Sequence, residues 1–183
     1  MVKKAPEPPP VPESGSGTFH VAAAPRRSQL GATTFRVEVE QDLVLDLGEV
    51  AAFIDETLAD PRGWSTAHRI VRVDGEADIR IVLATPETTD LLCAPLDTDG
   101  RLSCRNGGIV VLNAWRWEHG ADAYGDDITN YRRYLINHET GHALGYAHAT
   151  CPGESNVAPV MLQQTKGLNG CEPNPWPAIV DVR

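Results

Sequence analysis

The sequence predicts one α/β or α+β domain built around a central sheet, and three observations carry that reading. Its 183 residues suit a single hydrophobic core and leave little room for a second. Four apolar stretches carry strand signals, with a helix-period segment after the first of them. One longer helical pattern then dominates the C-terminal half. No internal repeat is visible.

Taken in order, residues 1–17 are rich in Pro, Glu, Ser and Gly and cannot bury enough apolar surface to offset the entropy of ordering. They are expected to form a flexible tether, with the folded domain over 18–183. "TTFRVEVE", Thr33 to Glu40, alternates with a period of two and places Phe35, Val37 and Val39 on one strand face. "LGEVAAFIDETLAD" changes period: Val50, Phe53, Ile54 and Leu58 recur at helical spacing, and Pro61-Arg62-Gly63 ends that helix. "HRIVRV" and "ADIRIVLAT" read as strands flanking a turn at Asp74-Gly75. "GGIVVLNAW" reads as a fourth strand, which would put Trp115 and Trp117 on one face as core or rim residues. A helix follows at about 127–144, with Asp126 and Asp127 as cap candidates. Ile128, Tyr131, Leu135, His138 and His142 advance along it in a three-four rhythm, so both histidines share the inward stripe.

Charge and cysteine usage bound the function. A net charge of -9 and a pI near 5.0 argue against a phosphate-backbone partner, and no basic stretch interleaved with aromatics is present. No apolar run is long enough to span a bilayer, and the two lysines near the start have no apolar region behind them. Neither a signal peptide nor an anchor is therefore expected within this chain, and any tether to a membrane would lie upstream. Cys93, Cys104, Cys151 and Cys171 form no C-x-x-C pair and read as two disulfides, which implies an oxidising compartment. Sequential pairing closes the shortest loops; the other two connectivities stay open.

"HETGHALGYAH", residues 138 to 148, concentrates three of the six histidines. His138 and His142, four apart on one helix face, can ligate one metal ion, while Glu139 is displaced around the helix towards a metal-bound water. Gly145 supplies the left-handed turn that brings His148 back. Three imidazoles with an open fourth position are the arrangement of a catalytic zinc. A closed structural site is the rival, with Cys151 as fourth ligand, but it would strand Cys171 as a free thiol. His20, His68 and His119 are scattered and read as ordinary surface or hydrogen-bonding residues.

This pattern resembles the zinc-binding signature of the metzincin clan of metallopeptidases. "APVMLQQT" supplies the methionine, Met161, that such a fold places in a tight turn, here at about 158–163. Residues 18–183, through "INHETGHALGYAH" and "MLQQTKGLNGCEPNPWP", further resemble a group of actinobacterial metzincin-like domains that are often tethered outside the membrane. The resemblance implies an α+β zincin fold: a twisted mixed sheet with two long helices, then a short irregular C-terminal subdomain. It implies one catalytic Zn2+ on His138, His142 and His148, and Glu139 as general base for peptide-bond hydrolysis. It also implies a monomer acting on a peptide or protein substrate from an extracytoplasmic position, secreted or tethered to the outer face. The alternatives are a secreted zinc-containing binding module and an amide hydrolase acting on cell-wall peptides. The strand Gly107 to Asn113 would be the exposed edge that binds substrate, through Gly108, Ile109, Val110 and Val111, with Gln163 and Gln164 walling a side-chain pocket. Ala149, where several metzincin families carry an acid, and Gln163, where others carry a tyrosine ligand, depart from better-known relatives. No cysteine in the N-terminal segment offers a latency ligand.

Overall fold

A computed structural model describes residues 10–24 and 30–177; residues 1–9 of the expected tether and the end of the domain, 178–183, lie outside the described residues. The architecture is α+β. Six strands, β1 (Phe19–Val21), β2 (Thr33–Glu40), β3 (Ile70–Arg72), β4 (Ile79–Ala84), β5 (Cys104–Asn106) and β6 (Ile109–Asn113), form one mixed sheet. Four helices accompany them: α1 (Leu47–Ala59), α2 (Pro86–Cys93), α3 (Ala114–His119) and α4 (Ile128–Ala143).

The strand order is β1-β2-β4-β6-β5, and β3 lies beside β2. The β2, β3, β4 and β6 pairings are parallel, whereas β1 and β5 are antiparallel to their neighbours. The alternation in β2 does what its pattern requires: Phe35, Val37 and Val39 join Ile81, Leu83, Val110 and Leu112 on the face covered by α1 and α4. Val82, Ala84 and Val111 face the other way, towards α2 and the Cys93–Cys104 pair. Helix α1 starts where Asp46 accepts the Glu49 N–H at 2.8 Å, and it buries Val50, Ile54 and Leu58. Phe53 meets Trp117 edge-on at 5.8 Å.

The strands flanking Asp74-Gly75, β3 and β4, each run parallel to β2. Two expectations change. The strand read through Trp115 stops at Asn113, whose side chain accepts the Trp115 N–H at 2.9 Å and caps α3. Trp117 is therefore buried while Trp115 stacks on His119, rather than the two sharing a strand face. Finally, Gly107 to Asn113 is not an edge. Strand β6 pairs with β4 on one side and with β5 on the other, and β5 is the outer strand, joined to β6 by a two-residue loop with Gly107 at φ +59.

The described part of the expected tether, residues 10–17, is held to the domain by polar contacts, and Val11 packs against the core. Glu87 N–H donates to Glu13 O at 2.9 Å, Arg101 pairs with the Glu13 carboxylate at 2.8 Å, and Gly17 N–H donates to Glu40 at 2.8 Å.

Both disulfides are sequential, Cys93–Cys104 and Cys151–Cys171. Two disulfides point to an oxidising, extracytoplasmic environment. Among the described residues no helix is long and apolar enough to cross a membrane. The second disulfide closes a loop of 20 residues that contains Met161, which the chain-entropy model values at about 3 kcal/mol. A Cys151→Ser, Cys171→Ser double variant is expected to lose about that much stability in urea unfolding; an unchanged midpoint would show that the loop is held by other contacts.

Candidate functional site

Helix α4 carries the site because its sequence starts and stops it sharply. At its start Asp127 accepts the Asn130 N–H at 3.0 Å. At its end Gly145, at φ +99, turns the chain: its N–H donates to His142 O, and the Tyr146 N–H donates to Gly141 O. That pair of bonds is a Schellman turn, which needs a residue free to adopt positive φ. His138 and His142 are one helical turn apart, and the turn returns His148 to them. One ligand nitrogen from each ring lies within 4.8 Å of the others, and His142 Nε2 stands 3.0 Å from His148 Nε2. No other such trio of His, Cys, Asp or Glu occurs among the described residues.

Two backbone carbonyls set the tautomers. His142 Nδ1 donates to Tyr146 O and His138 Nδ1 to Val160 O, each at 2.8 Å. A carbonyl only accepts, so each Nδ1 keeps its proton and each Nε2 presents its lone pair. Burial pushes His138 down to about 3. Burial also lowers His142 and His148, helped by Arg105 at His142 and by His142 and then Lys166 at His148. Neutral imidazole is the form that a metal needs. A tetrahedral zinc at 2.0–2.1 Å from each nitrogen separates its ligands by roughly 3.4 Å, a value that the 3.0 and 4.8 Å spacings bracket. The three residues fit a small divalent ion. Cys151 does not complete the set, because its sulfur is bonded to Cys171.

Glu139 sits beside the triad, only 6% exposed, and its carboxyl hydrogen-bonds to none of the described residues. Burial pushes its carboxyl up to about 8. Met161 lies beneath the helix in a turn closed by Leu162 N–H donating to Pro159 O at 3.0 Å. The same segment supplies Val160 O to His138 and Met161 O to the Ala149 N–H, at 3.0 Å. It therefore orients one histidine and anchors the strand of chain that carries another.

The triad opens into a cleft of about 520 Å³ whose lining includes Cys104 and Arg105 from β5, Leu135 and Glu139 from α4, and Gln163, Thr165 and Lys166 beyond Met161. Gln163 lines this cleft. Gln164 does not: it is fully buried, its Oε1 accepts from Tyr124 Oη at 2.9 Å, and its Nε2 donates to Pro159 O and Asn174 O. Gln164 is a strut. Gly108, Ile109, Val110 and Val111 line no part of the cleft, since β5 stands between them and the sheet edge. Proline in Ile109 to Leu112 would break bonds inside the sheet rather than probe a substrate path.

Two supporting residues had no motif to reveal them. Trp64, fully buried, donates its Nε1–H to Asn137 O at 2.9 Å and stacks on Tyr146 at 4.5 Å. Tyr146 in turn meets His68 Nε2 through its hydroxyl, at 2.9 Å. Gly141 lies against Trp64 and Met161: a Cβ there would come within 2.5 Å of Met161 Sδ and 2.8 Å of Trp64 Cζ2. Alanine normally stabilises a helix over glycine by about 1 kcal/mol. Here the indole cannot retreat, so Gly141→Ala is expected to destabilise by about 1–3 kcal/mol in urea unfolding, as overpacking does; a gain in stability would show that the contact is slack.

No curated protein matches this chain. A family model matches residues 5–177, nearly the whole sequence. On that match the chain belongs to the family described as Protein of unknown function (DUF3152).

Proposed function

We propose that this domain hydrolyses peptide bonds at a zinc ion held by His138, His142 and His148, with Glu139 as general base. The observation that carries the reading is the pairing of carbonyl-oriented, neutral imidazoles with a buried, unengaged carboxyl at the floor of an open cleft. When bound, zinc lowers the pKa of water towards neutrality and polarises a carbonyl oxygen. The chain's own residues do the rest. Glu139 takes the proton of the attacking water and delivers it to the nitrogen as the C–N bond breaks. Its raised basicity suits the first step. Strand β5, the outer strand of the sheet, lines the cleft through Cys104 and Arg105 and offers unpaired backbone groups to an extended chain. In this reading the resemblance to metzincins extends to Met161, and the domain works outside the cytoplasm as a monomer on peptide or protein substrates.

Glu139→Gln tests the base while sparing all three ligands. It is expected to keep one zinc per chain and to lose about 10²–10⁴ in rate on any peptide that the wild type cuts, measured by mass spectrometry of a mixed peptide library. His142→Ala is expected to lose zinc and cleavage together. A zinc-loaded Glu139→Gln protein that cuts at the wild-type rate would remove Glu139 from the chemistry. A wild type that holds zinc and cuts nothing would leave the zinc-containing binding module.

A further inference from the structure

The sequence has 25 acidic and 16 basic residues, a ratio that should leave few cations without partners. Six described arginines form ion pairs. Arg116 and Arg133 hydrogen-bond to oxygens, and Arg69 is also engaged. Among the described arginines the Arg105 side chain makes no hydrogen bond, ion pair or ring contact, although its backbone pairs with β6. Lys166, the only lysine after residue 4, has a side chain equally without a partner among the described residues. Both are exposed and line the cleft that holds the triad.

Two cations beside a site for a divalent cation repel the metal. The arrangement works against the site unless negative charge enters with the substrate. The acids of the cleft do not supply it: Glu139 stands on the floor, and Asp97 turns back on its own loop, its Oδ1 accepting the Asp99 N–H at 3.0 Å. A guanidinium matches a carboxylate in shape, and an ammonium opposite adds a second charge without demanding one geometry.

We infer that the cleft recognises a substrate carboxylate close to the scissile bond through Arg105 and Lys166, a reading that rests on the peptide-hydrolase proposal for the same cleft. The carboxylate belongs either to an acidic side chain or to a free C-terminus, and the two call for separate probes.

Three pools of short peptides serve: end-blocked peptides with Glu at one fixed position, the same pool with Gln, and the Gln pool with a free C-terminal carboxylate. Retention is measured by equilibrium dialysis against zinc-loaded Glu139→Gln protein, where turnover cannot interfere, and cleavage is measured with the wild type. One carboxylate pool is expected to be retained roughly tenfold or more over the blocked Gln pool, as a charge-assisted bond allows; the pool that wins identifies the source. Arg105→Gln with Lys166→Gln is expected to erase the preference while zinc stoichiometry and the urea midpoint hold, and each single variant to reduce it. Equal retention of the three pools, or a preference that survives the double variant, overturns the inference. A carboxylate preference without any cleavage keeps carboxylate recognition by Arg105 and Lys166 and sinks the hydrolase reading, whereas cleavage without preference does the reverse.

Discussion

Two hydrogen bonds from histidine Nδ1 atoms to backbone carbonyls, at Tyr146 and Val160, are the constraint on which the rest of the site depends. They decide which nitrogen of each ring is free, and a ring turned over would present a proton where a metal needs a lone pair. Neither carbonyl is held by its own side chain. Tyr146 O is positioned by the Schellman turn, and so by Gly145; Val160 O is positioned by the turn that carries Met161. Gly145 and Met161 thus shape the site without contributing a side chain to the triad.

The surrounding contacts keep those carbonyls still. Gln164 joins the methionine segment to Tyr124, to Pro159 and to Asn174, using both ends of a fully buried amide. Tyr134 donates to Leu162 O and accepts from the Gln164 N–H, at 3.0 and 2.9 Å, linking α4 to the same segment. Buried polar groups satisfied in this way cost little and fix one arrangement. Trp64 does the corresponding work on the other side, joining the end of the α1 connection to the middle of α4 and to the tyrosine ring.

The local parts of this design were legible in the sequence. The histidine spacing, Glu139, the glycine turn and the α4 boundaries all depend on residues within one helix and its return, where periodicity and caps speak directly. The outer strand was harder to read. Strand β5 has only three residues, too few for alternation, although Asn106-Gly107-Gly108 carries a hairpin signal. Helix α2 likewise hid behind a short run, despite Pro86 at its first position. Gln164 and Trp64 could not be assigned from pattern, because their partners lie far along the chain and are mostly backbone atoms. Arg105 and Lys166 stood out only by what they lack, which requires knowing where every other charge is spent.

The brevity of β5 has one more consequence. A chain that adds to a strand of three residues, Cys104 to Asn106, gains a ladder of only a few bonds. Such an edge is a poor template for a second copy of the protein, and its Cys104 is pinned to α2 by a disulfide, so the edge cannot lengthen by recruiting its flanks. That edge is thereby guarded against edge-to-edge aggregation, and in the proposed reading whatever an extended substrate cannot gain from backbone pairing has to come from its side chains.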